Sequence, residues 1–230
     1  PMVAVGALTL TEQARLPLQS KLADYFPGFG SMQVGVQTPD GKLATEPQKR
    51  PILIHDLFRH TSGLTYGGRP DGGSPLAAQW PSGSAASYMG KASEMTEALT
   101  KLPLVHQPGT VFEYSLSFDV LGAVVEKITG KSLGAHLSET VWKPLQMNDT
   151  TFRLTESQRA RIARPLPLNP LDGKPQSIAS IDKPPTFECG GGCAFGTMGN
   201  YIRFGQMLLN GGSLDGQQVL SPAFVQLMTS

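Results

Sequence analysis

The run Arg-His-Thr-Ser-Gly at residues 59–63 places a guanidinium, an imidazole and two hydroxyls side by side. An imidazole next to a serine hydroxyl is the pair used in Ser-His nucleophilic catalysis, in which the histidine is the general base. Taken alone, the run is also typical of a helix that ends in polar groups. The remaining histidines, His55, His106 and His136, show no paired spacing, and we expect each of them to be structural or exposed.

A second candidate for nucleophilic chemistry is Ser180 with Lys183, the only Ser-x-x-Lys spacing in the chain. On a helix this spacing places the amine beside the hydroxyl, which activates the nucleophile. Pro184 follows the lysine directly and the surroundings are rich in proline and glycine, so a helix is disfavoured. We therefore interpret this pair as part of a surface loop.

Cys189 and Cys193 are the two cysteines of the chain. Their spacing, with no second cysteine pair and no nearby histidine, is poor for a zinc site. A buried free cysteine behaves as a small apolar residue, and we expect that role for both. We therefore predict no metal site.

Helical patterns dominate the elements that must position these residues. The clearest covers residues 117–129, where Ser117 is a candidate cap, Gly130 is the expected left-handed stop, and five apolar residues share one face: Phe118, Leu121, Val124, Val125 and Ile128. Further helices are predicted for residues 1–16, 132–142, 155–163 and 197–210, and one opens with Ser221 and Pro222.

Two further patterns refine these elements. Thr155 and Gln158 form a capping-box pattern, and the helix over 197–210 is expected to turn Tyr201, Phe204 and Leu208 inward. Two small hairpins are predicted around the turns Asp40-Gly41 and Asp215-Gly216. Residues 66–86 and 164–190 are rich in Gly, Pro and Ser and are predicted to be long loops.

The overall composition favours a small-molecule partner. The 230 residues carry 19 basic and 18 acidic side chains, a net charge of +1, so no global field favours nucleic acid or an anionic membrane. No stretch reaches the roughly 18 consecutive apolar residues that a membrane span needs. Any signal peptide would lie upstream of Pro1, so both a cytoplasmic and a periplasmic location stay open.

Four blocks of sequence, in this order, resemble the serine hydrolases that have the class C β-lactamase fold. They are residues 53–68, 108–133, 141–152 and 190–230. That group includes penicillin-binding-protein-like peptidases and the family VIII carboxylesterases. The resemblance runs nearly from end to end, which makes it more specific than any single motif. It implies that residues 59–63 form the scaffold of a turn near the active site, and that no metal or organic cofactor is needed.

The family pattern also implies a nucleophile outside these residues. It has a Ser-x-x-Lys pair at the start of a buried helix, and the matching helix here begins at Pro1, so the resemblance places the lysine immediately before Pro1. A Lys-Thr-Gly-type motif is expected beyond Ser230. We therefore expect the 230 residues to be a fragment that is inactive as a hydrolase by itself.

The family motif Tyr-x-Asn matches residues 114–116, Tyr-Ser-Leu. The resemblance makes Tyr114 the general base that takes the serine proton during acylation and later activates water. The alternative is a tyrosine that only packs at a corner between a loop and a helix. A free tyrosine has a pKa near ~10, so action near pH 7 requires nearby cations to stabilise the phenolate by roughly 4 kcal/mol.

Leu116 stands where the lactamase pattern has asparagine, and it can neither donate nor accept a hydrogen bond. An amide on a β-lactam or peptide would lose a partner there, at a cost of about 1 to 3 kcal/mol, whereas an ester with an apolar acyl group would lose nothing. We therefore assign Leu116 to substrate binding and favour a serine carboxylesterase. A β-lactamase, a D-amino-acid peptidase and a non-catalytic penicillin-binding-like protein are the alternatives.

The fold class implied by the resemblance is α+β and mostly helical, a β-lactamase/penicillin-binding-protein-like fold with most of its central antiparallel sheet outside these residues. We expect residues 1–45 to hold the remainder of the nucleophile helix and a small hairpin. Residues 46–188 are expected to form a helical subdomain, and residues 189–230 to return towards the α/β part.

Overall fold

The computed structural model describes residues 1–67, 76–81, 90–176 and 187–230. Ser180 and Lys183, the loop pair with Ser-x-x-Lys spacing, lie outside these residues. In the described part of the chain the helices are α1 (Met2–Glu12), α2 (Ile54–Phe58), α3 (Ala92–Leu99), α4 (Ser117–Thr129), α5 (Leu133–Leu137), α6 (Glu156–Arg159), α7 (Met198–Leu209) and α8 (Pro222–Thr229). A π-helical turn, Ser138–Trp142, continues α5. None of these helices combines the length and apolar character needed to cross a membrane.

The described strands form two separate antiparallel hairpins. In the first, β1 (Gln33–Gln37) pairs with β2 (Leu43–Pro47), and in the second, β3 (Ser213–Leu214) pairs with β4 (Gln217–Gln218). Both turns lie where the sequence predicts them. Gly41 and Gly216 have φ values of 81° and 76°, the left-handed conformation that such turns require. Two short 3-10 turns, Leu22–Asp24 and Pro27–Gly30, precede the first hairpin, and a third, Ala77–Gln79, follows it.

Helix α1 runs through the core and is buried on every side from Val3 to Leu10. A helix that is apolar all round has to be covered by neighbours on all its faces, and α1 packs against α4, α5 and the π-helical turn. The close approach depends on Gly6, because a Cβ there would lie 2.4 Å from Leu137. The carbonyl oxygen of Gly6 also accepts a hydrogen bond from His136 Nε2 at 2.8 Å. His136 is therefore a structural histidine, as expected.

Helix α4 is the second core element, and it buries the predicted face. Leu121, Val124 and Val125 are buried, and Gly130 ends the helix with a left-handed φ of 68°. The prediction that Ser117 caps α4 is wrong. Leu116 is the N-cap, and its apolar side chain makes no capping bond. The Ser117 hydroxyl is hydrogen-bonded to Ser62 and Ser115 instead.

The remaining predicted helices are present, but α6 is shorter than the predicted range 155–163, and α7 differs in orientation. Thr155 and Gln158 form the expected capping box of α6, and Ser221 and Pro222 begin α8. In α7 Phe204 is buried as predicted, but Tyr201 is about half exposed. Met207, which lies three residues after Phe204, fills the inward position instead.

Candidate active site

The turn after α2 is fixed by the buried carboxylate of Asp56. It accepts two hydrogen bonds from the Arg50 guanidinium, at 2.7 and 2.8 Å, one from the Leu53 N–H at 2.8 Å and one from the Thr61 hydroxyl at 3.0 Å. Burial acts to raise the pKa of Asp56, but the hydrogen bonds from Arg50, Leu53 and Thr61 outweigh it and lower the pKa. The start of the run 59–63 is therefore held in one position.

His60 contacts the segment that carries Tyr114 at three points. Its backbone carbonyl accepts the N–H of Glu113 at 2.8 Å, and its ring Nδ1 accepts the N–H of Ser115 at 3.2 Å. The ring packs against the Tyr114 ring, with centroids 4.7 Å apart. His60 has a φ of 53°, which is uncommon for a residue other than glycine. These contacts support the structural interpretation of the run 59–63.

A chain of buried hydroxyls links the same two segments. Ser115 Oγ lies 3.3 Å from His60 Nδ1 and 2.7 Å from Ser117 Oγ, which in turn lies 2.8 Å from Ser62 Oγ. All four side chains are buried. Burial lowers the pKa of His60, which favours the neutral ring. Because Nδ1 accepts the Ser115 N–H, the neutral ring carries its proton on Nε2. The sequence did not predict this series of hydrogen-bonded hydroxyls, although Ser62 lies in the run 59–63 and Ser115 in the motif 114–116.

A cavity of about 610 Å³ lies in front of these segments. Arg59, His60, Tyr66 and Tyr114 contribute its polar wall. The first turn of α1, through Pro1 and Ala4, and the end of α8, through Leu227 and Met228, form other parts of its lining. The start of α1 and the segment that carries Tyr114, which are far apart in the sequence, therefore line the same cavity.

The two predicted site residues occupy different environments. Tyr114 lines the cavity and the residue is 56% exposed, so it can contact a molecule bound there. Leu116 is 3% exposed, packs in the core at the start of α4 and is not part of the cavity lining. The structure thus brings Tyr114 to the cavity and leaves Leu116 in the core.

Asp119, in the first turn of α4, is a buried acid that sequence reasoning did not identify. Its carboxylate accepts hydrogen bonds from the Gly191 N–H at 2.9 Å and from the Tyr66 hydroxyl at 3.5 Å. Burial raises the pKa of Asp119 to about 6, against these hydrogen bonds. Burial, together with the neighbouring charge of Asp119, also raises the pKa of Tyr66. Asp119 therefore ties the cavity wall at Tyr66 and Gly191 to α4.

Cys189 and Cys193 form a disulfide, so the expectation that they are free small residues is wrong. The bridge closes a short loop around Gly190, Gly191 and Gly192, and the first two of these glycines line the cavity. The spacing of the two cysteines is poor for zinc, but it allows them to bond to each other.

The other predicted histidines have varied surroundings. His55 lines the cavity beside Arg59, and His106 Nε2 lies 4.0 Å from a carboxylate oxygen of Glu113. Across residues 1–67, 76–81, 90–176 and 187–230, no group of three or more His, Cys, Asp or Glu side chains is arranged to hold a metal ion.

Comparison with known proteins shows the family of the chain. The sequence profile of the Beta-lactamase family matches residues 1–230. Protein Rv1367c of Mycobacterium tuberculosis is 34% identical over 231 residues, which cover 99% of this chain and 56% of that protein. Esterase EstB of Burkholderia gladioli is 32% identical over 182 residues, or 79% of this chain and 42% of the esterase. The chain thus spans about half the length of the curated relatives that it matches.

Solved structures give the same result for the fold. The LovD6 mutant of simvastatin synthase from Aspergillus terreus superposes on the whole chain with a TM-score of 0.77 and 26% identity, and the match covers 53% of that protein. The family and the fold class predicted from the sequence are therefore confirmed. The chain belongs to the beta-lactamase family of serine hydrolases and has the β-lactamase/penicillin-binding-protein-like fold.

Proposed function

We propose that the full-length protein cleaves small carboxylic esters through an acyl-enzyme intermediate, with Tyr114 as the general base. In the acylation step, the Tyr114 phenolate takes the proton of a serine hydroxyl as its oxygen attacks the ester carbonyl. The leaving alkoxide then takes that proton from Tyr114 and departs as the alcohol, which returns Tyr114 to the phenolate. In the second step Tyr114 activates a water molecule, which releases the acid and regenerates the serine.

The observation that carries the proposal is that Tyr114 and the first turn of α1 line the same cavity. The proposal requires a serine and a lysine one helical turn apart, on the helical turn that leads into α1. A pair at that place would enter the cavity beside Pro1 and Ala4 and face the exposed phenol of Tyr114.

The preference for esters rests on the lining and on the Tyr-Ser-Leu motif. Leu8, Phe58 and Phe118 give the cavity apolar walls that suit an acyl chain. Leu116 provides no amide for a β-lactam or peptide side chain, and its own side chain is buried outside the cavity lining. The relative EstB is an esterase by name, which adds support for the same substrate class.

Turnover of two chromogenic substrates by the full-length protein tests the proposal. We expect faster turnover of a short-chain nitrophenyl ester than of nitrocefin, and a loss of about 10²-fold or more in Tyr114→Phe. Tyr201→Phe is the matched control, because Tyr201 is also about half exposed but lies on α7 outside the cavity lining. Faster turnover of nitrocefin, or full ester turnover by Tyr114→Phe, would contradict the proposal.

A further inference from the structure

We infer that His60 is a positioning residue for Tyr114, and that it acts through its unprotonated Nδ1. The catalytic consequence rests on the proposed function, whereas the positioning itself can be measured without any turnover. His60 is not placed to be a nucleophile's base in this scheme, because its accepting nitrogen is already occupied inside the protein.

The peptide groups on either side of Tyr114 are both hydrogen-bonded to His60. The N–H of Glu113 donates to the carbonyl oxygen of His60, and the N–H of Ser115 donates to His60 Nδ1. Two flanking peptide groups are thus bonded to one residue. The backbone of Tyr114 is fixed on both sides, and only its side-chain torsions remain to be restrained.

The contact between the His60 and Tyr114 rings restrains those torsions. The imidazole lies at 4.7 Å and 36° to the ring of Tyr114, and it is itself enclosed by Phe112 at 5.9 Å and Phe118 at 5.1 Å. Rings that pack at these distances favour particular relative orientations. An exposed phenol such as that of Tyr114 would otherwise sample several rotamers.

Nδ1 of His60 must carry no proton, because it accepts the hydrogen bond from the Ser115 N–H. Protonated imidazole has donors at both nitrogens and would set an N–H against the Ser115 N–H. Burial lowers the pKa of His60, which favours the accepting form. In the described part of the chain no carboxylate lies within ion-pairing distance of His60, whereas Arg59 shares the cavity lining with it.

Substitution of His60 separates the accepting atom from the bulk of the ring. Asparagine places Oδ1 close to the position of Nδ1 and is among the residues that tolerate a left-handed backbone. Leucine fills space but accepts nothing. We therefore expect His60→Asn to keep the position of Tyr114 and His60→Leu to lose it, with His60→Ala supplying the same contrast if the leucine variant does not fold.

The experiment uses the full-length protein labelled with ¹³Cζ-tyrosine, with Tyr114→Phe to assign the signal of Tyr114. We expect His60→Leu to shift or broaden that signal while the Tyr201 signal stays unchanged, and His60→Asn to restore it. In ester turnover, kcat of His60→Leu should fall by about 10²-fold with KM changed by less than about 3-fold, since a small displacement of a catalytic group has an effect of this size.

Leu99→Ala controls for stability, because Leu99 is buried in α3 and does not line the cavity. It should lose a comparable free energy of unfolding without moving the Tyr114 signal. An unchanged Tyr114 signal in His60→Leu would overturn the inference, as would equal losses in the asparagine and leucine variants. If the wild-type protein turns over no ester, the proposed function fails, and the labelled tyrosine still decides whether His60 positions Tyr114.

Discussion

The backbone N–H of Gly191 donates to the carboxylate of Asp119 at 2.9 Å, across 72 positions of sequence. Asp119 lies in the first turn of α4, which follows the Tyr114 segment directly, and Gly191 lies in the disulfide loop. This bond therefore joins two walls of one cavity, and the loop cannot move independently of α4 while the bond is made.

Asp119 makes the stability of the protein depend on pH. Its pKa is about 6 in the folded protein, above the value of 3.8 for a free aspartate, so the folded state holds a proton more tightly. This contribution to stability is fully present below about pH 4 and is lost as the pH rises through about 6, with an upper size of about 3 kcal/mol. Urea unfolding at pH 4, 5, 6 and 7 measures it.

Asp119→Asn is the comparison for that series, because it stays neutral and its side-chain oxygen can still accept the Gly191 N–H. We expect the variant to gain stability relative to the wild type as the pH rises from 4 to 7. Two parallel stability curves over this range would show that Asp119 is not the group responsible.

Loss of the disulfide should loosen the cavity wall. Closing a loop as short as Cys189 to Cys193 is worth about 2 kcal/mol in the chain-entropy account. We expect Cys189→Ala combined with Cys193→Ala to lower the melting temperature and to raise KM for the ester more than it lowers kcat, because Gly190 and Gly191 line the cavity. A reducing agent should reproduce the effect in the wild type and leave the double variant unchanged; equal responses of both would argue against the bridge.

The glycines of the same loop offer a matched pair of substitutions. A Cβ at Gly190 would lie 2.0 Å from the carbonyl oxygen of Phe118, so alanine must push the loop away from α4, at a cost of about 1 to 3 kcal/mol. A Cβ at Gly192 meets nothing within 4 Å. Thermal unfolding should therefore show Gly190→Ala well below the wild type and Gly192→Ala close to it. Similar melting temperatures for both variants would contradict the packing described.

Leu116 tests the choice between esters and amides. Leu116→Asn introduces the amide of the lactamase pattern at a side chain that is buried outside the cavity lining. A role in substrate binding requires that amide to turn towards the cavity, and the ratio of nitrocefin turnover to ester turnover should then rise by about 10-fold, the size expected for one regained hydrogen bond. The ratio removes any loss of folded protein, which affects both substrates equally. A fall of both activities with an unchanged ratio would mean that Leu116 acts only as a core residue.

Local signals in the sequence predicted most of the helical framework. The apolar face of α4, the capping box at Thr155 and the turn glycines Gly41 and Gly216 depend on residues close in sequence, and all are present. The inward position of Tyr201 was wrong because burial on α7 is decided by what packs against it, and periodicity alone does not give that.

The candidate site was harder to predict because its bonds join distant segments. His60 and Ser115 are 55 positions apart and Asp119 and Gly191 are 72 apart, so no spacing rule connects them. The proposed role of Tyr114 rests on the resemblance to a family and on no local signal. The pairing of Cys189 with Cys193 was missed because the spacing was judged for metal binding alone.

We propose that a serine near the start of α1, paired with Tyr114 across the cavity, carries the chemistry. Treatment of the full-length protein with a fluorophosphonate, followed by peptide mass spectrometry, identifies the reactive serine directly. We predict one labelled serine, three residues before a lysine that immediately precedes Pro1. A label on Ser180 or Ser115, or no label on the active protein, would contradict it.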